Sequence, residues 1–377
     1  MTTSLQTIQT PIASDFIDLG TGDPQLNLLP LEMIRDAATH RLGLGEREYL
    51  QYGLEQGDGF FRDALAKFLS ARYGFHVSHE DLFTTSGISS ALALLCTLFT
   101  KPGDTIFVEE PSYFLALRIF ADYGLRVASI RTDEAGLVID DLVTALKESK
   151  PKFLYIVPTF QNPSGHTLSQ ERRRQLVELA KNHDFLILAD EVYQFLSYTQ
   201  TPPQSFGAYI ASEHVISLGS FSKILAPGLR LGWLQTHSSI MHRIITCGML
   251  DSGGGMNPFT SAIVRSLIEN GGLEKNISAL QTVLGNRVQV MSALLRKHIP
   301  QAQFTAPHGG YFFWLHIPSM DMRELRRKAQ SQKVDLRPGI LFSSQKRLMD
   351  HFRLSVSFYD VPQLEEGILR LKRCFEI

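Results

Sequence analysis

The chain is poor in cysteine. Only Cys96, Cys247 and Cys374 occur among 377 residues, far apart and with no CxxC pair. This excludes a disulfide framework and a cysteine-type zinc site, gives no metal site to expect, and suits a reducing cytoplasm. An excess of charge is missing as well: 37 basic and 38 acidic residues leave a formal net charge of -1. Dedicated nucleic-acid binders carry a basic bias, so no nucleic-acid partner is expected, although net charge says nothing against a local anion pocket. No stretch nears the roughly 20 continuous apolar residues of a membrane helix, so no membrane partner is expected. Residues 1–14 lack a charged segment followed by an apolar one, so no secretory signal is seen, and they read as a loosely ordered arm. Internal repeats and low-complexity stretches are also lacking.

What is present is an ordinary globular balance, 44% hydrophobic and 20% charged, in a chain long enough for two domains and a full core without staples. Short, continuously apolar runs at 105–108, 153–157, 185–189, 215–218 and 229–234 have the character of strands buried on both faces. Helical stretches alternate with them. Phe61, Ala64, Leu65, Phe68 and Leu69 form one apolar stripe, and 169–183 has charges early and Leu176, Val177 and Leu179 later. The alternation predicts an α/β fold with a largely parallel sheet between helices. The last hundred residues differ. Strands are expected at 309–316 and 352–358, the second with strict polar–apolar alternation, then a closing helix from Pro362. This is a smaller α+β unit, with a break expected near Asn270, Gly271 and Gly272.

Five segments carry candidate chemistry. After one apolar run come Ser220, Ser222 and Lys223, then Arg230 seven residues on, among glycines. An imine-forming lysine needs small neighbours and an anionic cofactor nearby, and serine hydroxyls and arginine are suitable phosphate partners. A surface loop with a solvated lysine is the competing reading. Asp190 closes the run at 185–189, where α/β proteins bind ligands, and Tyr193 follows three residues later. Asp190 has a helix N-cap as its alternative, and Tyr193 a place in the core. Asn162 lies in an Asn-Pro-Ser-Gly turn and is either a turn residue or an amide donor to a cofactor oxygen. Ser86, Gly87, Ile88 and Ser89 lead into a helix over 91–99, whose free N–H groups suit an anion, though serine at an N-cap is commonplace. Tyr113 either stacks on a ring or packs a loop. Arg353, on the polar face of its strand, is either a solvated edge residue or a two-pronged carboxylate ligand.

Taken together, in order and from about Ile17 to the C-terminus, these segments resemble the class I/II aminotransferases among the fold-type I pyridoxal-phosphate enzymes. The Ser-x-Ser-Lys string with Gly-x-Arg-x-Gly is the most specific part. The resemblance implies a large cofactor domain at 45–270 with a mostly parallel central sheet. A small lid domain is then built from 1–44 and 271–377. It implies pyridoxal 5'-phosphate held on Lys223 as a Schiff base, and Asp190 under the pyridine nitrogen. Tyr193 and Asn162 fall at the 3-hydroxyl, and Tyr113 on the ring. Ser220, Ser222 and Arg230 fall on the phosphate, with the backbone at Gly87 and Ile88 and with Ser86 and Ser89. Tyr52 matches a tyrosine that crosses a homodimer to the other subunit's phosphate, Arg353 the substrate-carboxylate clamp, and Gly22 a glycine whose backbone faces substrate. Two departures stand out. Ile88 and Ser89 replace the polar pair common after Ser-Gly, and Arg337 precedes Pro338 where an apolar residue is common. Arg337 is expected to be solvated, with contact to an acidic substrate group as the alternative.

The segment around Gly309, Gly310, Tyr311 and Trp314 is similar to the aminoadipate and kynurenine aminotransferase subgroup, whose breadth leaves the donor open. The expected activity is ping-pong transfer of an amino group between an L-amino acid and a 2-oxo acid in cytoplasmic, biosynthetic amino-acid metabolism. The alternatives are β-elimination (a C–S lyase) or decarboxylation on the same scaffold, and a non-catalytic cofactor-binding protein. No helix-turn-helix module precedes residue 17, so a minimal enzyme without a regulatory appendage is expected.

Overall fold

The computed structural model describes residues 15–375. The arm expected over 1–14 lies outside the described residues. Eight strands form the main sheet: β1 (Leu82–Thr85), β2 (Thr105–Glu110), β3 (Arg126–Asp133), β4 (Gly136–Leu137), β5 (Phe153–Ile156), β6 (Leu186–Asp190), β7 (Val215–Ser220) and β8 (Gly232–Thr236). Their order is β1-β8-β7-β6-β5-β2-β3-β4. The run from β7 through β6, β5 and β2 to β3 is parallel, while β8 returns antiparallel between β7 and β1. Alternate residues of the central strands enter two apolar clusters, one per face. Ile106, Val108, Phe153, Tyr155 and Leu188 join one, and Phe107, Leu154, Ile156, Ile187 and Ala189 the other. Burial on both faces explains why these strands appear in the sequence as continuous apolar runs.

The seven expected strands are present, with two shifts of consequence. The run at 229–234 becomes strand only at Gly232, because Pro227–Leu229 forms a 3-10 turn and Arg230 takes φ 48. The run at 352–358 pairs only over His351–Ser355, because Ser355 Oγ then accepts from the Ser357 N–H and turns the chain. β1 and β3 were not legible. The first has four residues, and the second is partly exposed and reads Arg-Val-Ala-Ser-Ile-Arg-Thr-Asp.

The expected helices form at Gly59–Tyr73, Ile88–Phe99, Gln170–His183 and Val361–Arg373. Ser169 caps the third through the Arg172 N–H, and Asp360 with Gln363 makes a capping box on the last. After Gly271 turns the chain at φ 74, a helix of 27 residues runs over Gly272–His298. A second sheet follows, of β9 (Phe312–His316), β10 (Arg337–Pro338) and β11 (His351–Ser355), in the antiparallel order β9-β11-β10. Ile17–Asp18 pairs in parallel with Val334–Asp335, which ties the early chain to this late sheet. Among the described residues, no helix is long and apolar enough to cross a membrane.

Candidate active site

The parallel strands β2, β5, β6 and β7 all end at one edge of the main sheet, the edge where such sheets bind ligands. A cleft of about 680 Å³ opens there, and β9 and β11 of the second sheet close its far side. Its volume suits a cofactor and a small substrate together.

At the floor, Asp190 ends β6 and is buried. Its carboxylate accepts from Tyr155 Oη at 2.8 Å and from the Val192 N–H at 3.3 Å. Burial pushes its pKa up to about 6, against the Tyr155 hydrogen bond. A buried carboxyl with this proton affinity is primed to face a cationic nitrogen. Tyr193 lies beside it, buried, its ring edge-on to Phe312. Lys223 enters from the loop after β7, and its Nζ donates to the Gly22 carbonyl at 2.8 Å. Removal from bulk water holds the Lys223 pKa below the usual lysine range; Arg353 and Arg230 add to this, while Asp23 and Asp190 oppose it.

At one end of the cleft the donors suit an anion. Ile88–Phe99 starts at the cleft, preceded by Gly87 at φ 86, and Ile88 and Ser89 line the opening. Arg230 Nη2 donates to the Ser86 carbonyl at 3.3 Å, and a Cβ on Gly87 would stand 3.0 Å from that nitrogen. Only glycine therefore lets the arginine lie against the helix start. Ser220 and Ser222 share a hydrogen bond of 2.9 Å beside them. Ser86 and Gly87 sit behind this cradle and are absent from the cleft wall.

At the other end, Arg353 is buried, and the solvated-edge reading fails. Its guanidinium lies 3.9 Å from the Phe312 ring centre and 4.9 Å from that of Phe342. Nη1 donates to Asn162 Oδ1 at 2.7 Å, Nη2 to the Gly20 carbonyl at 2.6 Å, and the buried Nε has no partner. Two of five donors are thus used, and Arg353 itself lines the cleft. Burial lowers the Arg353 pKa to about 9.

Arg337 corrects the expectation of a solvated side chain. It is buried and bound to Asp18 through two hydrogen bonds, Nη1 at 2.8 Å and Nη2 at 2.6 Å, with Asp335 at 3.4 Å. The pairing of Ile17–Asp18 with Val334–Asp335 brings that carboxylate to it. Tyr113 lines the cleft at the N-cap of the helix Phe114–Asp122. The fold does not bring Tyr52 to this cleft; its side chain is 79% exposed on the outer surface.

Sequence reasoning missed the residues beneath the site. Tyr155 was read only as part of an apolar strand. Glu109 is buried under the β5 end, accepting from the Val157 N–H at 2.9 Å and Gln161 Nε2 at 3.2 Å, and burial pushes its pKa up to about 8. Glu191 accepts from the Ser205 and Ser217 hydroxyls and the Phe206 N–H, with Arg173 at 3.6 Å. A carboxylate inside a strand, as at Glu109, is the one signal that marked them.

The donor set fits one kind of group: a planar cationic heterocycle carrying a carbonyl for Lys223 and a phosphate for the cradle. The comparisons agree. The model for aminotransferase class I and II matches residues 14–371. Aromatic-amino-acid aminotransferase 1 of Thermococcus litoralis is 34% identical over 366 residues, 95% of this chain and 87% of that one. The 2-aminoadipate transaminase of Thermus thermophilus is 28% identical, over 94% and 89% of the two chains. Pyrococcus horikoshii kynurenine aminotransferase, solved in complex with PMP, superposes with a TM-score of 0.90 at 33% identity, covering 96% of this chain and 91% of that one.

Proposed function

The chain belongs to the class I and II aminotransferases and is a pyridoxal-phosphate-dependent enzyme of the α/β fold of that family; from this we propose that it takes large apolar or aromatic L-amino acids as its preferred donors. The carrying observation is the ion pair of Arg337 with Asp18. It withholds Arg337, which lines the cleft and pairs across the strands with Arg353, from an acidic side chain. Leu29, Phe114, Leu115 and Phe312 give the wall apolar surface, alongside the polar Thr21 and Asp23. The name of the Thermococcus relative supports the same reading.

The chain's residues divide the work as follows. Lys223 binds the cofactor and, once freed, carries the proton between substrate Cα and the cofactor as general acid and base, for which its lowered pKa suits it. The bound pyridoxal phosphate supplies an electron sink for the charge left at Cα. Asp190 holds a proton on the facing ring nitrogen, and Tyr155 fixes that carboxylate. Tyr193 and Asn162, which line the cleft, would donate to the ring oxygen, and Tyr113 would cover the ring. Ser220, Ser222, Ser89, Arg230 and the start of Ile88–Phe99 would hold the phosphate, with Ser86 and Gly87 behind them positioning Arg230. Arg353 binds the substrate carboxylate, with Gly22 and Asn162 beside it. With the cofactor bound, these residues would serve a ping-pong transfer of the amino group from an L-amino acid to a second 2-oxo acid.

We assign a homodimer to the face that carries Tyr52. Leu50, Tyr52, Leu54, Phe60 and Met249 expose large apolar surface there, which favours coverage by a second copy, with Tyr52 reaching the partner's phosphate. In the same reading, 45–270 is the cofactor domain, and 1–44 with 271–377 is the lid. The three unpaired cysteines favour a cytoplasmic setting for a biosynthetic aminotransferase. The test is a donor panel against 2-oxoglutarate and pyruvate, read by return of the cofactor spectrum. Phenylalanine or tyrosine should exceed aspartate at least tenfold in kcat/KM. Preference for aspartate overturns the donor assignment, and pyruvate with ammonia released without an acceptor would point to elimination.

A further inference from the structure

A second cluster of chemistry-bearing side chains stands outside the cleft, at the outer end of the ribbon that presents Arg353. His316 ends β9 and His351 begins β11, and the antiparallel register sets them directly opposite. Their rings stack with centroids 4.3 Å apart and planes 14° apart. Asp350 reaches both, with Oδ2 3.0 Å from His316 Nε2 and Oδ1 2.7 Å from His351 Nδ1. The three potential ligand atoms lie within 4.8 Å of one another.

We propose that His316, Asp350 and His351 form a binding site for one divalent transition-metal ion of the zinc, cobalt or nickel class. Two imidazoles and one carboxylate are the donor set such borderline ions favour, whereas magnesium and calcium take all-oxygen sets. Bonds of about 2.0–2.2 Å set tetrahedral ligands about 3.3–3.6 Å apart, so small rotations of the three side chains complete the arrangement. The scaffold is rigid where it matters. Both histidines sit on paired strands, and the Asp350 carbonyl accepts from the Ile317 N–H at 3.0 Å. His316 also has an outer partner. Its Nδ1 lies 3.2 Å from Gln303 Oε1, the kind of contact that fixes a ligating imidazole's tautomer and leaves Nε2 for the metal. All three side chains are partly exposed, so an ion has an entry path and water fills the remaining position.

The site is tied to the cleft by packing. Residues 312, 314 and 316 of β9 face the same side as 351, 353 and 355 of β11. Trp314 stacks on His351 at 5.4 Å and meets Phe342 edge-on, and Phe342 lies against the Arg353 guanidinium. An ion held here stiffens the strand end two residues from Arg353, and Trp314 reports it.

The experiment uses the holoenzyme. Equilibrium dialysis against Zn²⁺ is read by metal analysis, and Ni²⁺ titration by Trp314 fluorescence, in the parent, His351→Gln and the His316→Gln/His351→Gln double variant. The expected result is one ion per chain at micromolar free metal. It is accompanied by quenching in the parent, and both are lost at least 30-fold in affinity in the double variant. The cofactor spectrum, recorded in the same samples, should be equal in all three, which separates this site from ions held by the cofactor itself. Equal uptake and quenching in parent and double variant would overturn the assignment. Absence of uptake by the parent below millimolar metal would also overturn it, leaving a hydrogen-bonded His–Asp–His triad.

Discussion

Replacing Arg353 with lysine tests the substrate end of the cleft most sharply. The guanidinium spends one N–H on Asn162 and one on Gly20, keeps three free, and has its Nε buried without a partner. A substrate carboxylate completing that fork gains two charge-assisted hydrogen bonds at about 1.5–3 kcal/mol each. Lysine keeps the charge and loses the fork. The expected loss of about 3 kcal/mol corresponds to roughly 10²-fold in kcat/KM, for amino acid and 2-oxo acid alike, since both present the same carboxylate. Stability changes separately: the Asn162 and Gly20 acceptors lose a buried partner, at about 1–3 kcal/mol, read as a lower Tm of the holoenzyme. The assay compares phenylalanine with phenethylamine, which lacks the carboxylate, in the half reaction. The parent should prefer phenylalanine by a factor that shrinks about 10²-fold in Arg353→Lys, with the amine rate little changed. An unchanged preference in a variant that folds and holds cofactor would refute the role assigned to Arg353.

Two further predictions concern Asp190 and Asp18. Burial raises the Asp190 pKa from 3.8 to about 6, so in the cofactor-free protein the folded state keeps a proton that the unfolded state has lost. Stability therefore falls as pH rises through that window, and above pH 6 the buried charge costs up to about 3 kcal/mol. Asp190→Asn should raise the Tm of the cofactor-free protein at pH 8, with the gain vanishing near pH 4, while kcat falls about 10²–10³-fold; a lower Tm at pH 8 would contradict the burial argument. Asp18→Asn should free Arg337 from its two-pronged pair, and the kcat/KM ratio of aspartate or 2-aminoadipate to phenylalanine should rise about tenfold, one charge-assisted hydrogen bond. A falling ratio would show that the pair does not gate the side-chain pocket.

Much of the fold was legible because the central strands are buried on both faces and short loops carry distinctive small residues. Lys223, Asp190, Asn162 and Ser220 all sit directly after apolar runs, so their placement at one sheet edge follows from the alternation of strands and helices. The expectations for Arg337 and for strand 229–234 failed for a different reason. Each depends on a contact with a distant segment or on local backbone geometry: Asp18, 319 residues away, neutralises Arg337, and a left-handed Arg230 delays the strand. The long helix Gly272–His298 has buried positions spread over 27 residues with exposed charges between them, a stripe too diluted to stand out. Tyr155 looks like an ordinary strand residue until the fold turns it toward Asp190, and Glu109 is marked only as a carboxylate inside a strand until it meets the β5 end. Tyr52 stays exposed on the surface, and nothing among the described residues of the chain draws it to the cleft.

Lys223 is assigned two tasks, to hold the cofactor and to move the proton. The most direct measurement is a single turnover, mixing holoenzyme with phenylalanine and following the cofactor absorbance, in the parent and in Lys223→Ala reconstituted with pyridoxal phosphate. Conversion should be complete in the parent and slower by about 10²–10⁴-fold in the variant, partly restored by added small amines that replace the missing base. A variant rate within a few-fold of the parent, with the cofactor bound, would contradict it.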